Sequence, residues 1–265
     1  MNLNINFLSR ERNWRYFIDL VFQKAWAGLR AEAARGYLGV IWWVLEPVMY
    51  MTVFYIVFVH LFKRGDENFI LFLLTGLIAW KWFNTTISTG SNSIVASAGL
   101  MNQVYLPKIV FPLTTIAINT FKFLIILIIF LVFLQFMSIK LSPVWAFLPI
   151  LIIAQLLLIT GVTSLLAGIM PFFPDLKFIL DNVLMMMLFL SGIFFDITKL
   201  PANVKVYLLL NPMATLIVMY RKILINGTPP NWQYLLYVLS FSLMVLFLAL
   251  WLLRRFDRVY PKIIH

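Results

Sequence analysis

Residues that could do bond chemistry are few in this 265-residue chain. It contains no cysteine and only two histidines, His60 and His265, which excludes disulfides and thiolate sites and leaves little for a metal. Asp175, Asp181 and Asp196 flank one apolar run, where carboxylates commonly lie at helix ends, so we do not assign a catalytic pair. Neither G-x-x-x-x-G-K-[ST] nor H-E-x-x-H occurs. The sequence predicts a protein that is not an enzyme and carries no cofactor or metal of its own.

Three ionisable residues, Glu46, Lys81 and Lys122, lie inside long apolar runs. Charges within a bilayer are costly and by default mark a partner or a pathway. One interpretation is a salt bridge between helices, such as Glu46 with Lys81. A second is the polar lining of a hydrated channel in which the lysines meet an anionic substrate, and a third is lysines that reach to the membrane surface. These alternatives stay open.

Aromatic residues make up 17% of the chain. They are typical of the belt at a membrane interface, but in a channel they also offer flat faces along which sugar rings could slide. The candidates for lining a channel combine aromatic and charged residues, namely Trp42, Glu46, Trp80, Lys81, Trp82, Phe83 and Lys122.

The amino-acid composition indicates the class of protein to which these residues belong. Apolar residues make up 63% of the chain, charged residues only 12%, and the mean hydropathy is +0.95. Water-soluble domains have roughly half apolar and a quarter charged residues, so the chain is predicted to be an all-α integral membrane protein. The net charge of +11 indicates attraction to anionic lipid rather than to nucleic acid.

Apolar runs of about 20 residues predict the membrane-spanning helices. A run over 206–225 is a doubtful span, because Asn211-Pro212 interrupts it near its start and Arg221-Lys222 lie near its end. We assign it to an outer segment, 196–231, that enters the membrane edge and returns. Six spans remain, over 36–62, 69–90, 109–137, 144–170, 178–195 and 232–253, within a single transmembrane domain over 36–253.

The distribution of basic residues supports this topology, since cytoplasmic flanks carry an excess of Lys and Arg. Six spans with the outer segment kept outside place twelve basic residues inside and seven outside. If 206–225 crossed the membrane, the distribution would be ten to nine. We therefore predict that both termini are cytoplasmic, with 1–35 as an interface segment and 254–265 as a tail.

Two segments outside the spans have helical amphipathic patterns. The apolar residues of 14–35 recur at helical spacing, which predicts a helix that lies on the membrane, either as an anchor or as a platform where a charged, lipid-linked substrate gains access. The inner loop 91–107 ends at Pro107 and is predicted to be a short helix that lies on headgroups or docks into a groove of a soluble partner. Its apolar face consists of Ile94, Ala98, Met101 and Tyr105.

Several short motifs occur in order along nearly the whole chain. They are Tyr37-Leu38-Gly39-Val40-Ile41-Trp42 running to Glu46-Pro47, Phe72-Leu73-Leu74-Thr75-Gly76-Leu77 with Trp80-Lys81-Trp82-Phe83, Val104-Tyr105-Leu106-Pro107-Lys108 with Pro112, Phe172-Phe173-Pro174-Asp175-Leu176, and Asn211-Pro212 to Tyr220-Arg221. Together they resemble the membrane subunit of type 2 ABC exporters of lipid-linked polysaccharides. The similarity is closest to O-antigen permeases, with capsule and teichoic-acid permeases as relatives.

The resemblance implies a homodimer in a bacterial inner membrane with two ABC ATPase subunits, which bind ATP and Mg. It implies export of undecaprenyl-pyrophosphate-linked O-antigen polysaccharide from cytoplasm to periplasm. The inner-loop helix would be the coupling helix in the ATPase groove, and Arg30, Arg35 and Tyr37 would lie where the substrate gains access, with the arginines as candidates for meeting its pyrophosphate. The periplasmic gate helices would include Phe194, Phe195, Asn211, Pro212, Tyr220 and Arg221.

Other functions remain as alternatives. A membrane-embedded glycosyl- or phospho-transferase needs clustered carboxylates or histidines, which the sequence lacks. Broken helices in both halves of the chain would indicate a secondary transporter, whereas only one broken element is predicted here. A permease for capsular polysaccharide or teichoic acid, or an exporter of drugs or small lipids with the same architecture, is not distinguished by the residues alone.

Overall fold

The computed structural model describes residues 10–34, 39, 41–57, 67–101, 103, 106–137, 139 and 142–263. These residues form α-helices and short 3-10 turns, with no strand among them, and the predicted all-α class is confirmed over this part of the chain. The helices are α1 (Arg10–Ala34), α2 (Ile41–Tyr55), α3 (Glu67–Ser91), α4 (Ala98–Met101), α5 (Val110–Phe136), α6 (Leu148–Ile169), α7 (Leu176–Leu190), α8 (Ala202–Leu209), α9 (Pro212–Leu224), α10 (Trp232–Arg255) and α11 (Tyr260–Ile263).

Four helical segments within the described ranges are long and apolar enough to cross a membrane: Phe69–Ser91, Val110–Phe136, Pro143–Phe172 and Trp232–Arg255. They coincide with four of the predicted spans. The predicted spans 36–62 and 178–195 correspond to α2 and α7, which have 15 residues each and are shorter than the about 20 residues that a straight crossing needs. The count of six spans therefore stays a prediction.

The centre of the bundle is the pair α6 and α10, which pack along each other more extensively than other described helices. Gly161 on α6 permits the close approach, because a Cβ atom there would lie 3.0 Å from the backbone N of Leu246 and 3.2 Å from the carbonyl O of Ser242. Small residues allow membrane helices to approach in this way. α3 packs on both α5 and α6 and completes the core.

The amphipathic N-terminal segment forms α1, which packs along the first half of α5. Ala25 and Leu29 are buried, and Gly28 faces Ile118 of α5 so closely that an added Cβ would lie 2.7 Å from its side chain. Ile18, Phe22 and Trp26 are exposed on α1 at steps of four residues. The helix thus has two apolar sides, of which one binds the bundle and the other remains open.

The doubtful run over 206–225 forms two helices, α8 and α9, bent by 106° at the break between them. The Asn211 side chain accepts a hydrogen bond from the backbone N–H of Met213, and Pro212 occupies the first turn of α9. An Asn cap followed by Pro is a favoured start of a helix, which explains the break. The bend is that of a broken span or of a segment that enters and returns, so the predicted gate helices remain a proposal.

Candidate functional site

The inner loop after α3 forms a 3-10 turn, Val95–Ser97, followed by α4. Ile94 and Met101, predicted to dock on a partner, are buried against Phe111, Ala167, Leu253 and Tyr260 of the same chain, and Ala98 packs at the edge of this cluster. Tyr105 lies outside the described residues. The predicted apolar face exists, but α5, α6, α10 and the chain's own tail together cover it. The exposed face of this turn carries Ala96, Gly99, Leu100 and Gln103.

The C-terminal tail forms part of that cover. Tyr260 is fully buried, and its hydroxyl donates a hydrogen bond to the carbonyl O of Gly168 at 3.1 Å. Burial raises the pKa of Tyr260 to about 12. The backbone N–H of Lys108 donates to Asp257 Oδ1 at 3.3 Å, and burial lowers the pKa of the Lys108 side chain, an effect that the nearby Asp257 opposes. The tail thus fixes both ends of the inner loop.

The candidates for substrate access are partly described. Arg30 is exposed on α1, and its guanidinium lies 5.2 Å from the centre of the Trp26 ring, a cation-π arrangement. Arg35 and Tyr37 fall outside the described residues. Their role in meeting a pyrophosphate stays a prediction.

Of the three intramembrane charges, Lys122 has a well-defined partner. Its Nζ forms an ion pair with both carboxylate oxygens of Glu32 at 2.5 Å, and it lies 5.4 Å from the centre of the Trp43 ring. Lys122 therefore ties α1 to α5. Lys81 is half-buried and has interactions of its own, whereas the Glu46 side chain lies outside the described part of α2, so the predicted Glu46–Lys81 pair is not tested.

The aromatic candidates for lining a channel divide into two groups. Trp80, Trp82 and Phe83 are buried inside the single chain, and Trp82 stacks on Phe123 with ring centres 4.0 Å apart. Trp42 on α2 is exposed. The role of all four stays a prediction, but the buried three face neighbouring helices of their own chain, which does not favour direct contact with a substrate.

The residues predicted for the gate converge on the turn that follows α7. Arg221 of α9 is buried and donates to the carbonyl oxygens of Gly192 at 2.7 Å, Ile193 at 2.9 Å and Phe72 at 3.1 Å. Its guanidinium also lies 3.3 Å from the centre of the Phe72 ring. Asn211 Nδ2 donates to Ser191 Oγ at 2.9 Å. α9 is thereby fastened to α3 and to the end of α7.

The other predicted gate residues surround this network. Tyr220 is buried beside Arg221, and Phe194, which is half-buried, stacks on Phe189 with ring centres 5.5 Å apart. Phe195 packs against a small cluster around Ile197, Leu209, Ala214 and Val218. The sequence analysis grouped the gate residues by resemblance. The structure places them together at one end of the bundle, and their role as a gate stays a prediction.

One set of residues was missed by the sequence analysis. The half of α3 that ends at Ser91 carries Thr85, Ser88 and Thr89 outside the buried core, and Asn92 continues the row. The signal was the cluster of Ser, Thr and Asn residues over 84–92, at the end of a long apolar run.

The fold and these residues define a multi-pass helical membrane protein whose described part holds no group of three His, Asp or Glu side chains suited to a metal ion. No family model matches the chain. It is 26% identical over 247 residues to the O-antigen export system permease protein RfbA of Klebsiella pneumoniae, which covers 92% of this chain and 95% of the relative.

Two further relatives agree with this similarity. The O-antigen export system permease protein RfbA of Myxococcus xanthus is 27% identical over 225 residues, 83% of this chain and 86% of the relative. The polysialic acid transport protein KpsM of Escherichia coli is 28% identical over 233 residues, 85% of this chain and 89% of the relative. The resemblance to permeases of polysaccharide export, predicted from the motifs, is confirmed.

Proposed function

We propose that this chain is the membrane-spanning permease of an ATP-driven exporter that moves an undecaprenyl-pyrophosphate-linked O-antigen polysaccharide from cytoplasm to periplasm. The observation that carries the proposal is the similarity, over 92% of this chain, to a permease named for O-antigen export. The absence of a P-loop from the sequence agrees with ATP hydrolysis by a separate subunit, which is part of this proposal. Two permease copies and two ATPase subunits make up the exporter.

A six-span topology with cytoplasmic termini belongs to this proposal. α7 is short, but it is bound to α3 at both ends: Lys177 Nζ donates to the carbonyl O of Ser88 at 3.0 Å, and Arg221 joins the carbonyls of Gly192 and Phe72. Between Phe72 and Ser88 the helix α3 rises about 24 Å, at 1.5 Å per residue. The position of α7 beside α3 supports its assignment as a spanning helix in this proposal.

The proposed contact surface for the ATPase subunit lies on the inner loop. Met101 is 6% exposed and Leu100 is 36% exposed, so the chain itself uses one side of the turn and leaves the other free. An added Cβ at Gly99 would meet no atom within 4 Å. We infer that the partner contacts the exposed face, with Leu100 and Gln103 in its groove, and that Ile94 and Met101 act by holding the turn in place.

The experiment is co-purification of the permease with its ATPase subunit from membranes, followed by ATP hydrolysis with and without lipid-linked O-antigen. Wild type is expected to retain the ATPase, and hydrolysis should respond to the glycan. Leu100→Asp should weaken retention by about tenfold or more while the permease stays folded, because a buried charge at an interface costs more than 1.4 kcal/mol. Leu100→Ala is the matched control.

Met101→Asp distinguishes the buried face of the turn from the exposed face. It should lower the melting temperature of the permease itself, whereas Leu100→Asp should not. Retention of the ATPase by Leu100→Asp would contradict the assigned face, and a permease that binds no ATPase at all would contradict the exporter.

A capsule-type substrate is the second candidate, because the polysialic acid transport protein KpsM is 28% identical to this chain. The same hydrolysis assay distinguishes the two substrates. Stimulation by a lipid-linked polyanionic capsule polymer but not by O-antigen would favour the capsule function.

A further inference from the structure

The exposed side of α10 is apolar along most of the helix and becomes basic at its C-terminal end. Leu243, Phe247 and Trp251, at steps of four residues, are each more than half exposed. Arg254 and Arg255, three and four residues beyond Trp251, are exposed as well, and positions with this spacing lie on one side of a helix. The same face therefore carries apolar side chains first and two guanidinium groups after them.

Two tryptophans indicate where this face meets the membrane surfaces. Trp232 and Trp251 are both exposed on α10, and the helix rises about 28 Å between them, at 1.5 Å per residue. This length matches the roughly 30 Å of hydrocarbon in a bilayer, and tryptophan is enriched at both membrane interfaces. Arg254 and Arg255 therefore lie about 5 Å beyond one interface, at the level of the lipid headgroups.

The tail beyond α10 adds two further cations near this end of the helix. Arg258 and Lys262 are exposed. The backbone N–H groups of Val259 and Tyr260 both donate to the carbonyl O of Phe256, at 2.8 and 3.3 Å, and fold the tail into a compact turn. Arg258 and Lys262 therefore stay close to the end of α10 instead of extending away from it.

The four cations are here called the basic cluster (Arg254, Arg255, Arg258 and Lys262). Within the described ranges, none of them forms an ion pair with a carboxylate. The acidic residue of the same segment, Asp257, accepts a hydrogen bond from the backbone N–H of Lys108. The basic cluster is therefore a concentration of uncompensated positive charge at a membrane surface, which attracts anionic lipid.

The other side of the same segment packs against the inner loop. Leu253 and Tyr260 are buried in one cluster with Ile94 and Met101, whereas the basic cluster is exposed. The end of α10 and the tail thus have one side bound to the bundle and one side open to a ligand. A ligand that binds only this folded arrangement stabilises it.

Resting on the cytoplasmic position of the tail in the proposed function, we propose that the basic cluster and Trp251 form a binding site for the headgroup of an acidic phospholipid in the cytoplasmic leaflet. A guanidinium group binds phosphate oxygens through two parallel hydrogen bonds. The apolar side chains of Leu243 and Phe247 contact the acyl chains, which a soluble anion lacks. The bound lipid holds in place the tail that supports the inner loop.

The test measures phospholipid binding to the purified full-length permease in detergent, by native mass spectrometry and by thermal unfolding. Dioleoylphosphatidylglycerol is the acidic probe. Dioleoylphosphatidylcholine, which has the same acyl chains and no net charge, is the neutral probe. Wild type should bind phosphatidylglycerol about tenfold or more tightly than phosphatidylcholine and should unfold at a higher temperature with it. The double variant Arg254→Gln/Arg255→Gln should bind phosphatidylglycerol about thirtyfold more weakly, the loss expected for two basic residues at an anionic surface.

Two further double variants are the controls. Arg254→Lys/Arg255→Lys keeps both charges and should retain most of the affinity. Lys199→Gln/Lys205→Gln removes the same charge from the outer segment and should leave the binding of phosphatidylglycerol unchanged. Unchanged binding by Arg254→Gln/Arg255→Gln, or an equal loss in both glutamine variants, would overturn the site.

Inorganic pyrophosphate, compared with chloride at the same ionic strength, distinguishes a phospholipid site from a site for a soluble diphosphate. Phosphatidylglycerol that stays bound supports the lipid site, and its displacement by pyrophosphate alone would overturn that assignment. Because binding is measured on the permease without the ATPase subunit, loss of the lipid site would leave the proposed exporter intact. A permease that binds phosphatidylglycerol but no ATPase would refute the exporter and support the lipid site.

Discussion

At the scale of single residues, Arg221 makes the most connections of the predicted site residues. Its guanidinium contacts three backbone carbonyls and an aromatic ring in place of water. Gly76 of α3 leaves room for the guanidinium, since a Cβ there would lie 2.8 Å from Arg221 Nη2. A planar guanidinium with a fixed fork of donors fits this arrangement, whereas an ammonium does not. The carbonyls it binds belong to α3 and to the turn that follows α7, so Arg221 joins α9 to both of these elements.

We predict that Arg221→Lys lowers the free energy of unfolding by about 2–4 kcal/mol, because buried carbonyls lose their donors while a charge stays buried. The measurement is the thermal unfolding of the purified permease in detergent. Arg254→Lys, at an exposed position of α10, is the control and should leave the transition unchanged. Equal stability of the two variants would show that the buried bonds contribute nothing.

Tyr260 gives a second prediction at this scale. Tyr260→Phe removes only the hydrogen bond to Gly168 and should destabilise by about 1 kcal/mol, whereas Tyr260→Ala also opens a cavity beside Phe172 and should cost about 3–5 kcal/mol. Because the ring covers Ile94 and Met101, the alanine variant should also reduce retention of the ATPase subunit. Normal retention by Tyr260→Ala would mean that the tail does not support the inner loop.

At the scale of elements, the close contact of α6 and α10 depends on one missing side chain. We predict that Gly161→Val separates the helices and destabilises the bundle by about 1–3 kcal/mol, since the backbone of α10 cannot move as a flexible side chain can. Gly99→Ala is the control, because a Cβ there meets open space and alanine favours a helix. The measurement is the thermal unfolding of both variants. A Gly161→Val protein as stable as Gly99→Ala would contradict the packing argument.

The helices themselves were predictable, because long apolar runs and the Asn-Pro break determine secondary structure locally. The contacts that each helix makes with the rest of the chain were not predictable. The face of Ile94 and Met101 has the pattern of any amphipathic helix, and nothing within 91–107 tells that Leu253 and Tyr260 cover it. The Lys122–Glu32 pair joins residues 90 positions apart, and the sequence analysis named only Glu46 with Lys81 as an example of a salt bridge between helices. Spacing identifies a face but does not identify what lies against it.

At the scale of the whole molecule, α3 connects the two ends of the bundle. Near its start, Phe72 accepts a hydrogen bond from Arg221 of α9, and near its end Ser88 is bound by Lys177 of α7. Directly beyond Ser91 the chain enters the inner loop that is proposed to meet the ATPase. One continuous helix therefore joins that loop to the hydrogen bonds that hold α9.

The path of the chain through the membrane gives the last prediction. If α8 and α9 form a segment that enters and returns, Lys199→Cys before it and Thr228→Cys after it face the same side, whereas a broken span would place them on opposite sides. Both positions are exposed, and the 106° bend favours the return, because two short helices at that angle cannot together reach across about 30 Å of hydrocarbon. We expect an impermeant maleimide to label both from the periplasm.

Arg258→Cys, in the exposed tail after α10, is the control for sidedness and should label only after the membrane is opened. The background is clean because the chain has no cysteine of its own. Labelling of Lys199→Cys and Thr228→Cys from opposite sides would contradict the re-entrant segment and the basic-residue distribution on which six spans depend. Labelling of all three from one side would contradict α10 as a single crossing, and with it the cytoplasmic position of the tail that supports the inner loop.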